Sequence, residues 1–174
     1  VDYAIAVNSG TAALHIALEA LGIQQGDEVI VPAMTFFATI SAVLYLRAVP
    51  VFADIDLDDF CLSRESVEKR ITSKTKAVIP VHLFGAPAKM DKFLDLSERF
   101  NISIIEDCAQ AHGSKFKGSK VGSIGQAGAF SFFATKHMTT GEGGAITTND
   151  ATVAERARII RNHGMVSTKW KVSL

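Results

Sequence analysis

Short runs of β-branched and aliphatic residues recur along this chain, each followed by a stretch whose apolar residues fall at helical spacing. Few architectures accommodate that alternation. A strand buried on both faces reads as a continuous apolar run, and parallel neighbours need a crossover helix between them. Strands are predicted at 4–7, 28–31, 49–53, 77–81, 102–105, 128–132 and 145–148, the last pairing back after a glycine-rich turn. Helices are predicted at 11–21, 39–46, 63–71, 90–100 and 151–161. Leu14, Leu18 and Leu21 share one face of the first helix and Gly22 ends it; Ser63 or Ser66, and Asn149 or Asp150, are placed to cap later ones. The pattern predicts an α/β fold: a mainly parallel sheet with helices on both faces.

A chain of 174 residues that is 48% hydrophobic can bury one sizeable core, so a single domain is expected. Lysine plus arginine and aspartate plus glutamate number 18 each, so no global field recruits nucleic acid or an anionic membrane. The expected partner is a small molecule or another protein. Cys61 and Cys108 have no C-x-x-C spacing, which argues against a disulfide scaffold and suits a reducing compartment. No apolar run is long enough to span a bilayer and no leader precedes the first strand, so the expected location is the cytoplasm. The chain starts without methionine and stops at Leu174 without a packing element, so truncation at both ends is expected.

Chemistry concentrates in three places. In S-F-F-A-T-K, 131–136, an apolar strand ends in Lys136 just before the turn Gly141-Glu142-Gly143-Gly144. A lysine there is either a solvated surface charge or an amine aimed into a dry cleft, where desolvation favours its neutral, nucleophilic form. Asp107 closes a buried strand whose carboxyl end is where ligands of open α/β sheets bind. It is read as a helix cap, a structural ion pair, or a carboxylate that keeps a pyridine nitrogen protonated. Glu106 alternates to the other side of the strand. The turn-to-helix element N-S-G-T-A-A-L-H, 8–15, is an ordinary N-cap or a phosphate cradle, with Gly10 allowing close approach and Thr11 adding a hydroxyl. Lysine, carboxylate and phosphate cradle together are what a pyridoxal phosphate site requires. Gln110 can donate to a ring hydroxyl, His112 reads as a packed or surface residue, and Phe36 is either plain core or a stacking ring.

Other motifs lead elsewhere. The segment 113–120 has serine where a Walker lysine belongs, and no G-x-G-x-x-G occurs. Asp54, Asp56, Asp58 and Glu65 imitate a calcium loop, but Asp59 stands where the turn glycine is needed, so a solvated turn is expected. The five histidines show no H-E-x-x-H pairing, and no metal site is expected.

The run of motifs N-S-G-T-A-A-L-H, G-D-E-V-I-V-P-A-M-T-F-F-A-T, T-K-A-V-I-P-V-H-L-F-G, I-E-D-C-A-Q-A-H-G, G-A-F-S-F-F-A-T-K, G-E-G-G-A-I-T-T-N-D and R-N-H-G resembles the DegT/DnrJ/EryC1/StrS sugar aminotransferases. That family has the aspartate-aminotransferase-like fold, fold type I of the pyridoxal phosphate enzymes. The resemblance implies a large-domain fragment, with residues 1–165 binding the cofactor and 166–174 starting a connection to a small domain. It implies that Lys136 holds the cofactor as a Schiff base and shuttles a proton. Asp107 would bind the ring nitrogen, Gln110 the ring hydroxyl and Phe36 the ring face, with Gly10, Thr11 and Ser131 on the phosphate. Dehydratase relatives replace this lysine by histidine, so Lys136 favours transamination. The implied reaction carries an amino group from glutamate or glutamine to a nucleotide-linked keto-sugar, in a homodimer with shared active sites. Alternatives are a cyclitol (keto-inositol) aminotransferase, another enzyme of the fold such as a cysteine desulfurase, and a non-catalytic cofactor-binding remnant.

Overall fold

Seven strands in the order β1-β9-β8-β5-β4-β2-β3 make the main sheet of the computed structural model, which describes residues 1–166. They are β1 (Tyr3–Val7), β2 (Glu28–Pro32), β3 (Val49–Ala53), β4 (Thr75–Val78), β5 (Ser103–Asp107), β8 (Ala127–Ser131) and β9 (Gly144–Thr148). β2, β3, β4, β5 and β8 pair in parallel, while β9 runs antiparallel to β8 and to β1. The expected α/β class and the mainly parallel sheet are therefore observed. A separate hairpin, β6 (Lys115–Phe116) with β7 (Ser119–Lys120), was not expected from the sequence.

Helices α1 (Gly10–Ala20), α2 (Ala38–Tyr45) and α5 (Ala151–Arg161) cover one face, and α3 (Arg64–Glu68) and α4 (Met90–Phe100) the other. Period-two alternation along the strands feeds both cores. Val29, Val31, Ala77, Ile79 and Ile105 join the α1 side, whereas Ile30, Val78 and Ile104 join Met90, Phe93 and Leu96 of α4. Both faces being buried is why these strands read as unbroken apolar runs. Ser9 caps α1 by accepting from the Ala12 N–H at 3.1 Å, and Asp150 caps α5 through Thr152 and Val153. Two elements end three residues short of expectation. The helix expected at 63–71 stops at Glu68, and Arg70 folds back onto Ser66 and Asp54. The strand expected at 77–81 stops at Val78, although Val81 still bridges to Asp107. The segment expected to begin a connection, 166–174, lies from residue 167 onward outside the described residues.

Glu106 joins three elements at one buried point. Its carboxylate is fully buried and accepts from Ile124 N–H at 2.7 Å, Gly125 N–H at 2.8 Å and Gly122 N–H at 2.9 Å, with His82 Nε2 at 3.0 Å. His82 Nδ1 accepts from the Ala88 N–H at 3.0 Å, so the ring carries its proton on Nε2 and donates it to Glu106. Burial pushes the Glu106 carboxyl up, but the bonds from His82 and from backbone N–H groups outweigh that and hold it below the ordinary glutamate value. His82, Glu106 and Cys108 form the one buried cluster among the described residues with ligand-like atoms close together. Each imidazole nitrogen is already engaged, which leaves no lone pair for a cation. The acidic loop after β3 is likewise satisfied internally: Asp56 binds Lys89 at 2.6 Å, Asp59 binds Lys89 at 3.3 Å, and Asp54 meets Arg70 at 3.4 Å.

Replacing Glu106 by Gln puts an amide against donors that need an acceptor, and the fold should lose about 2–4 kcal/mol in urea denaturation. Because the folded pKa is depressed, the stability that Glu106 provides is present above the ordinary value and lost as pH falls through the folded one. The wild-type urea midpoint should therefore drop below about pH 4.3 more steeply than that of the variant. Parallel pH profiles for the two proteins would contradict this account.

Candidate functional site

At the carboxyl ends of β2, β5 and β8, against the N-terminus of α1, the chain encloses a cavity of about 360 Å³. Gly10, Phe36, Asp107, Gln110, Ser131 and Lys136 all line it, together with Ser9, Thr35, Thr135 and Glu142. Thr11 alone of the residues singled out from sequence is not in its wall; it lies in the first turn of α1, partly buried. The location follows from topology, because strand ends and the turns that leave them are where an open α/β sheet leaves a crevice.

Asp107 ends β5 and is 5% exposed. Its Oδ1 accepts from the Ala109 N–H at 3.1 Å and its Oδ2 from the Thr39 hydroxyl at 2.9 Å. Burial pushes its carboxyl above the ordinary range, and those two donors, His82 and the Lys136 ammonium only partly oppose the shift. A carboxylate in that state favours a cationic partner. Thr39 was not anticipated from the sequence. Only Thr39 lies in α2; Thr35 stands in the bend before it, and the turn brings their hydroxyls to 2.8 Å.

Ser131 ends β8, and the chain then turns through 132–136 to deliver Lys136. Phe132 N–H donates to the Gly143 carbonyl at 2.9 Å and Lys136 N–H to the Phe133 carbonyl at 2.9 Å, which ties this turn to the glycine-rich loop. Lys136 is partly buried, with Nζ 5.9 Å from the centroid of the Phe36 ring. Phe36 is 69% exposed, so it is a ring at the cavity mouth and not core. Gln110 takes the Phe84 N–H on its Oε1 at 2.9 Å, which leaves its NH2 group as the free donor. Phe84 sits at φ 53°, a left-handed conformation that is unusual for a bulky residue. It lines a second, shallower space with Gln110, Thr135, Lys136 and His137.

The N-terminus of α1 comes against Ser131 with no room to spare: a Cβ on Gly10 would lie 2.7 Å from Ser131 Cβ. Gly144 is equally confined by the backbone of Ser9 and Gly10. Free N–H groups, the positive end of a helix and a buried hydroxyl therefore meet at one point, a donor set suited to a phosphate. His112 packs behind this wall, 5.5 Å from the Phe132 ring and 5.7 Å from the Phe130 ring, with both ring nitrogens buried and no partner among the described residues. Burial pulls its pKa down. Cys61 and Cys108 are buried away from the cavity, and burial pushes both thiols up.

The profile of the DegT/DnrJ/EryC1/StrS aminotransferase family matches residues 1–173. The GDP-perosamine synthase of Escherichia coli O157:H7 is 47% identical over 165 residues, which is 95% of this chain and 45% of that protein. The L-glutamine:2-deoxy-scyllo-inosose aminotransferase of Streptomyces fradiae is 49% identical over 164 residues, 94% of this chain and 39% of that protein. Among solved structures, S. venezuelae DesV in complex with a ketimine intermediate superposes with a TM-score of 0.93 at 45% identity, covering 97% of this chain and 46% of that one. This chain spans less than half the length of each of these proteins.

Gly10→Ala tests the cradle. The added methyl must displace Ser131, at a cost of about 1–3 kcal/mol, and inorganic phosphate, used as a probe, should bind at least tenfold more weakly. Unchanged thermal stability and phosphate affinity would mean that the close approach of α1 and β8 has no role in anion binding.

Proposed function

The chain belongs to the DegT/DnrJ/EryC1/StrS aminotransferase family, whose members use pyridoxal phosphate, and from that premise we propose that residues 1–165 are the large, cofactor-binding part of a sugar aminotransferase. The amino group would pass from glutamate or glutamine to a nucleotide-linked keto-sugar. One observation carries this reading: Lys136 and the buried carboxylate of Asp107 open into the same cavity, beside a helix N-terminus too tightly packed at Gly10 to admit a side chain.

The residues present fit the cofactor. Asp107, whose burial disfavours an unpaired negative charge, is relieved by a protonated ring nitrogen. The free NH2 of Gln110 would be available to a ring oxygen, and Phe36 would cover a ring face. Backbone N–H groups at Gly10 and Thr11, with the Ser131 hydroxyl, would hold the phosphate. Bound there, pyridoxal phosphate supplies an aldehyde that carries the amino group and a ring that withdraws electrons. Lys136 is the covalent tether, and its Nζ is the base at hand for a proton on the substrate carbon that bears nitrogen. The shallower space lined by Phe84 and His137 shares Gln110, Thr135 and Lys136 with the cavity and would be where the substrate enters.

Phe36, in the cavity wall, and Phe84, in the wall of the shallower space beside it, are 69% and 71% exposed, apolar surface that a partner could cover. A second subunit that covers this rim and completes the site accounts for it, so a homodimer with shared active sites is part of the proposal. No described helix is long and apolar enough to cross a membrane; a cytoplasmic location is also proposed. A keto-inositol is a second substrate class, favoured by the 49% identity to the Streptomyces fradiae cyclitol enzyme.

Borohydride reduction of the cofactor-loaded, full-length protein followed by peptide mass spectrometry should place the adduct on Lys136 and find none in Lys136→Ala. An adduct on another lysine, or an unchanged yield in the variant, would sink the assignment. Amination of a nucleotide-linked keto-sugar but not of a keto-inositol, with glutamine or glutamate as donor, decides between the two substrate classes.

A further inference from the structure

We propose that Thr39 is a positioning residue for Asp107, orienting its carboxylate toward the cavity through a directed chain of hydroxyls that starts at Thr35; the proposal rests on the reading of Asp107 as partner of the cofactor's ring nitrogen. Thr39 is fully buried in α2, and its Oγ1 lies 2.9 Å from Asp107 Oδ2. Thr35 Oγ1 lies 2.8 Å from Thr39 Oγ1 and stands in the cavity wall.

The direction of the chain follows from counting protons. An ionised carboxylate only accepts, so the single hydroxyl proton of Thr39 is committed to Asp107. Thr39 then has only lone pairs to offer Thr35, and Thr35 must be the donor between them. A hydroxyl that itself accepts a hydrogen bond is a stronger donor, so Thr35 strengthens the bond that Thr39 makes to Asp107. On the other carboxylate oxygen the Ala109 N–H donates at 3.1 Å. One donor on each oxygen stops the carboxylate from rotating about its Cβ–Cγ bond and leaves lone pairs on both oxygens for a partner in the cavity.

Electrostatics gives the arrangement a second consequence. Beside Asp107 in sequence stand the Glu106 carboxylate, bonded elsewhere, and the Cys108 thiol, which Asp107 helps push up; the groups that could give it a charged bond are His82, whose Nε2 proton goes to Glu106, and Lys136 across the cavity. Neither donates to Asp107. The Thr39 hydroxyl is therefore the one side-chain donor that holds Asp107 in its charged form among the described residues. By stabilising the carboxylate it makes Asp107 a weaker base, so the shared proton stays on the ring nitrogen, where it makes the ring a better electron sink. The side-chain alternative for a buried threonine in a helix is to bond its own backbone four residues back. Thr39 donates instead across the chain to a strand end.

The full-length protein carrying Thr39→Val, which keeps the shape and removes the donor, tests this. In the cofactor-free protein, the carboxyl carbon resonance of Asp107, followed by NMR against pH, should titrate about one to two pH units higher than in wild type, the equivalent of one hydrogen bond to a charged acceptor. In the loaded protein, the 15N resonance of labelled cofactor should move from the protonated toward the neutral ring position. The amino-donor half-reaction should slow about tenfold or more, with little change in KM. Thr39→Ser, which keeps the hydroxyl, should restore all three readouts. Should Thr39→Val not fold, Thr35→Val removes only the upstream donor and should shift the Asp107 titration in the same direction by a smaller amount. An unmoved titration in the variant, or equal loss in Thr39→Ser, would overturn the proposal. If Asp107→Asn leaves the ring nitrogen resonance unchanged, the reading of Asp107 itself fails; if that variant moves it and Thr39→Val does not, only the role of Thr39 fails.

Discussion

Strand β5 ends in two carboxylates that point to opposite faces of the sheet, and the surroundings of each decide what that strand end can do. A lone buried charge is costly enough to distort or neutralise itself. Glu106 avoids that cost with donors on both oxygens, three backbone N–H groups and His82. Those bonds tie the β4 crossover, β5 and the loop before β8 into one rigid corner. Asp107, one residue later, has only Thr39 and Ala109 as donors among the described residues. Its burial is not fully offset by these donors, and that imbalance underlies its proposed part as a binding group.

The same corner explains the shape of the cleft. β8 is held beside β5 with Asp107 level with Ala129, so Ser131 stands two residues beyond the acid, and β9 pairs back antiparallel to β8. The connection that carries Lys136, between Ser131 and Gly144, is tied back on itself at Phe132, which bonds to Gly143 and Thr140. On the opposite wall, α1 begins against Ser131 because neither Gly10 nor Gly144 carries a Cβ to keep the backbones apart. Amine, acid and anion cradle come from three separated stretches of sequence, and the sheet places them around one cavity.

Much of this was legible in advance because it is local. The bounds expected for α4, α5 and β3 are those observed, since a strong amphipathic period, a good cap or a clear apolar run marks each. The residues of the cleft were legible where chemistry made them odd: a lysine after an apolar strand, an acid at a buried strand end, a glycine at a helix start. The β6–β7 hairpin was missed because its two-residue turn, Lys117-Gly118, puts a lysine at φ 46° where an asparagine or glycine is the usual signal. The shortened α3 was missed because propensity ran on to Ile71 while Arg70 found better partners in Ser66 and Asp54. Thr11 was grouped with Gly10 by its place in the motif; it is not in the cavity wall, and its part in the proposed cradle is its backbone N–H.

From the sequence alone come the α/β alternation, the expectation that Lys136, Asp107 and the turn at Gly10 make one site, and the misfit of 54–65 and 113–120 to calcium and Walker loops. Each of these depends on residue type and short spacing, which a linear chain already contains. Tertiary structure decided which donors each carboxylate receives. Thr39 reaches Asp107 across 68 positions and His82 reaches Glu106 across 24. Spacing cannot encode such pairs, because they exist only once strand order and helix packing have set which side chains face each other in the interior.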